Sequence, residues 1–224
     1  MTHVLELTED EHTWEKIEAA VQRFTLAIRG GACKFADEFV AAFKDKDMIK
    51  RITNCLITER TRLSGSTLDL MSSATRLGPS FQPLIQIYFP TILRLLARTN
   101  KLYITRTQSC ISAIIHNTHL PHIMPYIAEG MSDKSATMRK GCAEAILEAL
   151  SKNASGGMLI DKEAIERRGS LALIEEVIRK AAVDKEVKVR EAGRQIWNVY
   201  KTEWSDRVDA CVYTSRNQAM LIVL

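Results

Sequence analysis

Asn100-Lys101-Leu102-Tyr103-Ile104-Thr105-Arg106, Asp133-Lys134-Ser135-Ala136-Thr137-Met138-Arg139 and Asp184-Lys185-Glu186-Val187-Lys188-Val189-Arg190 are three copies of one phrase. Each opens with Asn or Asp followed by Lys, carries Arg six positions after its first residue, and runs into an Ala-, Cys- and Ile-rich helical stretch. An internal repeat on this scale outranks any single-residue clue, because it describes a stack of similar units that bury their apolar faces only against one another.

The phrase also says what each position does. Asn or Asp at a tight turn bonds nearby backbone amides and caps the helix that follows. Arg six residues on falls inside that helix, where a guanidinium can bridge to the acidic turn residue of its own or a neighbouring unit, so its expected role is structural. The Lys has no such task. Lys101, Lys134 and Lys185 stand at turn tips, and stacking is expected to align them along one ridge. The four turn segments 58–65, 99–106, 132–140 and 184–190 together carry +6 against +4 for the whole chain, which leaves −2 for everything else. Positive charge gathered on such a ridge points to an acidic partner.

Around the phrases, helical periods come in pairs separated by short polar breaks. Trp14 opens a helix with Ile17, Val21, Phe24 and Ile28 on one face, and Gly30-Gly31 close it. An amphipathic stretch from Phe35 to Ile57 follows, then a polar turn from Thr58 to Gly65, a helix ending at Leu77-Gly78-Pro79, and a helix from Phe81 to Arg98. Later helices are expected at Cys110 to Asn117, Ile123 to Met131, Met138 to Leu150, Ile165 to Val183 and Val189 to Trp204. Asp133 to Asp184 spans 51 residues against 33 for Asn100 to Asp133, and the loop-like Ser151 to Gly157 accounts for the extra length. Trp197, Trp204, Tyr88 and Phe81 fall on apolar faces and are expected in the core. Five to six hairpins account for 1–224 as a single all-α solenoid domain, with its body at about 8–209 and a capping segment at 206–224.

Composition agrees. With 46% hydrophobic residues, five Pro, ten Gly and 6% aromatics, helices are favoured over sheets. The five cysteines, Cys33, Cys55, Cys110, Cys142 and Cys211, are widely spaced with no CxxC pair, so neither a disulfide framework nor a zinc module is indicated. Met1 to His12 is polar and acidic, unlike a secretory leader, and no apolar run approaches the ~20 residues needed to span a bilayer. The closing Met220 to Leu224 reads as the buried end of a last helix or as an effect of where the chain was cut.

Trp14, the run Ile115-His116-Asn117-Thr118-His119-Leu120-Pro121 followed by Ser132 to Arg139, Arg60-Thr61-Arg62-Leu63-Ser64, Leu77-Gly78-Pro79-Ser80-Phe81 and Val189-Arg190-Glu191-Ala192-Gly193-Arg194 together resemble the TOG domains of cytoplasmic linker-associated proteins (CLASPs). The resemblance extends from Thr8 to about Asp209. It implies a flat paddle of six HEAT repeats whose edge of intra-repeat loops binds αβ-tubulin or the microtubule lattice. It implies a multidomain parent that promotes microtubule rescue and suppresses catastrophe, located in the cytoplasm on microtubules and the spindle. By position, Trp14 is the exposed first-loop aromatic, Arg60 and Arg62 belong to the second loop, Lys101 to the third, Lys134 to the fourth, and Lys185 with Lys188 to the fifth. The second loop departs from the repeated phrase, with Ser64 where Arg would stand.

Other functions find less support. His116, His119 and His122 invite a metal reading, but Pro121 breaks the helix between them and no Cys or carboxylate shares the segment. No Gly-rich phosphate loop, GxSxG elbow or HExxH is present, so no enzyme and no cofactor are expected. Glu175, Glu176, Glu144 and Glu148 read as ordinary exposed helix-face carboxylates. A nucleic-acid-binding HEAT protein would need aromatics in a basic groove, and the third loop offers Tyr103 alone. A HEAT adaptor would use its helical faces and leave the basic loops incidental. The expected partners are therefore tubulin or microtubules, with neither nucleic acid nor membrane, and the isolated domain is expected to be monomeric.

Overall fold

The structure is a computed structural model and describes residues 7–213. The reading of Met220 to Leu224, and that of the cap beyond residue 213, lie outside the described residues. These residues form α-helices joined by 3₁₀ turns, with one isolated bridge between Lys152 and Met158. The backbone packs as two compact units, Met1–Leu120 and Pro121–Leu224.

In the first unit, α1 (Trp14–Arg29) ends where the sequence places Gly30-Gly31. Gly31 has φ of 111°, a left-handed conformation that costs glycine nothing and other residues dearly. The stretch 35–57 is broken into α2 (Ala36–Phe43) and α3 (Lys46–Ile57) because Asp45 caps the second helix, accepting from the amides of Asp47 and Met48 at 3.0 and 3.1 Å. The segment expected to be a turn up to Gly65 is helical from Thr61, so α4 (Thr61–Ala74) contains Arg62, with Arg60 just before it. Then come a 3₁₀ segment through Gly78, α5 (Gln82–Arg94) and α6 (Lys101–Thr118).

Helices α1, α4 and α6 pack in succession, and α3 packs on both α4 and α5, so the unit has the two-layer order of helical hairpins. Bonds from one hairpin to the next bridge similar sequence distances: Tyr103 Oη to the Thr58 carbonyl spans 45 residues and Asn117 to Thr75 spans 42. That interval is the length of a HEAT-type repeat. Tyr88 and Phe81 are buried as expected, and Tyr88 donates to the Phe43 carbonyl at 2.7 Å.

In the second unit, α7 (Met124–Gly130) and α8 (Ala136–Ala149) form one hairpin. The loop after it folds back on itself, with Met158, Leu159 and Ile160 buried. The helix expected from Ile165 to Val183 is divided at Gly169, whose φ is 68°, into α9 (Lys162–Arg167) and α10 (Leu171–Ala182). Helix α10 pairs with α11 (Val187–Glu203), which also lies against α8, and α12 (Val208–Tyr213) follows. Gly193 makes the α10–α11 contact close, because a Cβ there would come within 2.7 Å of Ala181 Cβ. Trp197, Tyr200 and Trp204 stack along the end of α11, and both tryptophans are core.

Candidate functional site

The three copies of the repeated phrase are not in the same structural register. In the second and third, the Asp accepts from the amide two residues on, Ser135 at 2.7 Å and Glu186 at 2.8 Å, and the helix starts after that turn. Lys134 and Lys185 therefore occupy turns, and Arg139 and Arg190 each fall in the first turn of a helix. In the first copy Asn100 is itself the cap, accepting from Leu102 at 2.9 Å, so Lys101 is the first helical residue and Arg106 the sixth, against the fourth for Arg139 and Arg190. Arg106 covers Gly65, where an added Cβ would lie 1.4 Å from its Nη1.

The structural role expected of the arginines is present in the second unit. Arg139 Nη1 donates to the carbonyls of Asp133 and Lys134 at 2.9 and 3.0 Å, and Arg190 Nη1 repeats this on Asp184 and Lys185 at 2.7 and 2.9 Å. Arg139 also forms a fork on the Asp184 carboxylate of the following repeat, at 2.6 and 3.0 Å. The guanidinium holds the Asp184 carboxyl below its usual range, helped by the Glu186 amide, and the pair raises Arg139 in turn. Lys134, Lys185 and Lys188 are exposed, and their ammonium groups make no ion pair among the described residues. Val183 and Val187, on either side of Lys185, are 58% and 50% exposed.

The first unit is built differently. Trp14, the first residue of α1, is half-buried rather than fully exposed. The guanidinium carbons of Arg60 and Arg62 lie 5.2 and 5.1 Å from the centroid of its ring. Both arginines also hold carboxylates: Arg60 pairs with Glu9 at 3.3 Å and Arg62 with Glu18 at 2.7 Å. Glu9 accepts from Thr58 Oγ1 at 2.6 Å, and Thr58 is tied by its carbonyl to Tyr103. Tyr103 repeats the arrangement, with Arg98 4.7 Å over its ring and paired to Glu59 at 2.9 Å. Lys101 is exposed.

The structure thus brings Trp14, Arg60 and Arg62 together in the first unit, where Lys101 also lies. Lys134, Lys185 and Lys188 belong to the second. Glu9, Glu18, Arg98 and Tyr103 did not figure among the expected site residues. Glu18 had a signal: it falls on the stripe Val21, Thr25 and Ile28, and a lone acid on an apolar stripe needs a buried partner. Glu175 is a correction of the same kind. It is buried, not exposed, and accepts from Tyr200 at 2.8 Å and Arg207 at 3.0 and 3.2 Å.

Among the described residues no cluster of His, Cys, Asp or Glu could hold a metal ion. Within them, no helix is long and apolar enough to cross a membrane. Cys55, Cys110 and Cys142 are pushed up to about 12 by burial, as expected of thiols that serve as small hydrophobes.

Two-layer packing of helical hairpins at a HEAT-type interval is the architecture of TOG domains. A TOG domain of Zyg9 from C. elegans matches 99% of this chain and 77% of its own, with a TM-score of 0.67 and 14% identity. A structure of TOG arrays from microtubule polymerases that recruit and assemble tubulin matches 100% of this chain and 44% of its own, with a TM-score of 0.70 and 9% identity. The family described as CLASP N terminal matches residues 1–220, and the chain belongs to it. Protein STU1 of Gibberella zeae is 26% identical over 212 residues, 94% of this chain. That match spans 18% of the relative's length.

Proposed function

We propose that this chain is the tubulin- or microtubule-binding TOG domain of a CLASP-type protein that stabilises microtubules, promoting rescue and suppressing catastrophe. The binding edge consists of the intra-hairpin loops, with Trp14, Arg60, Arg62, Lys101, Lys134, Lys185 and Lys188 as its residues. The domain binds without catalysing a reaction or using a cofactor, as a monomer, in the cytoplasm on microtubules and the spindle. The two compact units count as halves of one domain, supported by the match of a single TOG domain to 99% of the chain.

The observation that carries this reading is how the cations of the loops are used. In the second unit the arginines of the repeated phrase turn inward to hold the turns, whereas Lys134, Lys185 and Lys188 are left in solvent. A turn needs no solvated Lys, so the recurrence of Lys fits recognition of an acidic surface better than it fits folding.

The test is sedimentation of purified αβ-tubulin with and without the domain, repeated with Lys101, Lys134 and Lys185 all changed to Glu, alongside microtubule pelleting. Binding that is lost in the triple variant, with helicity and melting unchanged, supports the loop edge. Equal binding by the triple variant, or no binding by the wild type in either assay, rejects it.

A further inference from the structure

The first-unit corner of the loop edge is electrically closed. Arg60 and Arg62 contribute two positive charges, and Glu9 and Glu18 answer them at 3.3 and 2.7 Å. The Glu18 side chain is only 6% exposed and also accepts from Ser66 at 3.0 Å, so the acidic end of the pair is fixed while the Arg62 side chain stays 66% exposed. Glu9 is fixed by Thr58. Each guanidinium makes one carboxylate contact and lies with its carbon about 5 Å from the same indole centroid, so its π contact is already assigned.

Tyr103 shows the same construction one loop further on, where Arg98 lies over a buried ring and is paired to Glu59. There the arrangement locks an aromatic in place. At Trp14 the ring is only half-buried, so the same device holds an aromatic that a partner can still reach.

We infer that Arg60 and Arg62 are positioning residues that preorganise Trp14 as a charge-neutral aromatic anchor, while the salt-sensitive part of partner recognition resides on the exposed lysines of the other loops. This division of labour rests on the tubulin reading above. Arg suits the task and Lys does not. A planar guanidinium can stack on a ring and fork onto a carboxylate at once, whereas an ammonium keeps the charge and loses the stacking. An anchor held ready before contact avoids the ordering cost of binding.

The test is affinity for αβ-tubulin or microtubules as a function of KCl for wild type, Trp14→Ala, Arg60→Lys with Arg62→Lys, and Lys185→Glu. The double Lys variant keeps both charges, and it should nevertheless weaken binding by about tenfold, close to Trp14→Ala, with the wild-type salt slope retained in both. Lys185→Glu should flatten the slope. A double Lys variant that binds like the wild type would overturn the inference, because charge alone would then suffice.

A second readout needs no partner. In protein labelled with 5-fluorotryptophan, the Trp14 resonance, assigned by loss in Trp14→Phe, should narrow and take up a larger solvent isotope shift in the double Lys variant. An unmoved resonance refutes positioning even if no tubulin binding is found. Altered Trp14 with no tubulin binding by any protein would place the failure in the tubulin reading alone.

Discussion

The loops of the two units solve the same problem in opposite ways. In the first unit, Arg60, Arg62 and Arg98 reach to carboxylates on other segments and lie over aromatic rings, so that charge is cancelled and rings are fixed. In the second, Arg139 and Arg190 bend back onto the carbonyls of their own turns, Arg139 adds the Asp184 carboxylate, and the adjacent Lys residues are released into solvent. The same residue type serves ring placement in one unit and turn closure in the other. What differs is whether an aromatic ring lies in the first turn of a helix beside it.

The largest effect expected from this contrast is on stability. Arg139→Ala leaves the Asp184 carboxylate, whose side chain is only 7% exposed, without its fork, and should cost about 3 kcal/mol. Arg62 is 66% exposed, and Arg62→Ala should cost about 1 kcal/mol because Ser66 still serves Glu18. Urea denaturation of the two variants measures the difference. Equal losses would mean that the first-unit arginines hold the fold as much as those of the second.

Acid should separate the units next. The Asp184 pKa is lowered in the folded state, so the pair contributes stability that is present above the unfolded value and is lost as pH falls through the folded one. Asp184→Asn should therefore be less stable than the wild type by about 2 kcal/mol at neutral pH and lose less of its stability below pH 4. Parallel losses for the two proteins on acidification would remove the ion pair from the account of the second unit.

The sequence shows the helical stack because apolar spacing and turn residues are local, and the helix start at Trp14 follows from them. The breaks at Asp45 and Gly169 are also local, but each sits inside an apolar pattern that continues across it, and periodicity alone passes over them. The register shift of the first phrase is subtler. Asn100 caps its helix directly, whereas Asp133 and Asp184 close a turn ahead of theirs, and one-letter spacing is the same in both cases. The candidate site was read as a set of basic and aromatic residues, of which the structure brings Trp14, Arg60 and Arg62 together. The carboxylates that neutralise it were not legible, since Glu9 lies 51 residues from Arg60 and Glu59 lies 39 from Arg98, and only the fold brings each pair together. Glu18 was passed over and Glu175 misread for a different reason: their stripes mark them as buried, but acids on helices are usually solvated.

The smallest effect is the most specific to a binding role. Lys188 is the second residue of α11, at the helix end whose backbone dipole disfavours a cation. It is exposed and makes no ion pair among the described residues. Lys188→Ala should therefore stabilise the protein slightly, by about 0.3 kcal/mol, as read from the urea midpoint. If Lys188 contacts an acidic partner, the same change should weaken binding by about threefold and reduce its salt dependence. The two measurements are expected to move in opposite directions, which a residue retained for folding would not allow. A loss of stability together with unchanged affinity would return Lys188 to the fold and leave Lys134 and Lys185 as the second unit's contribution to the edge.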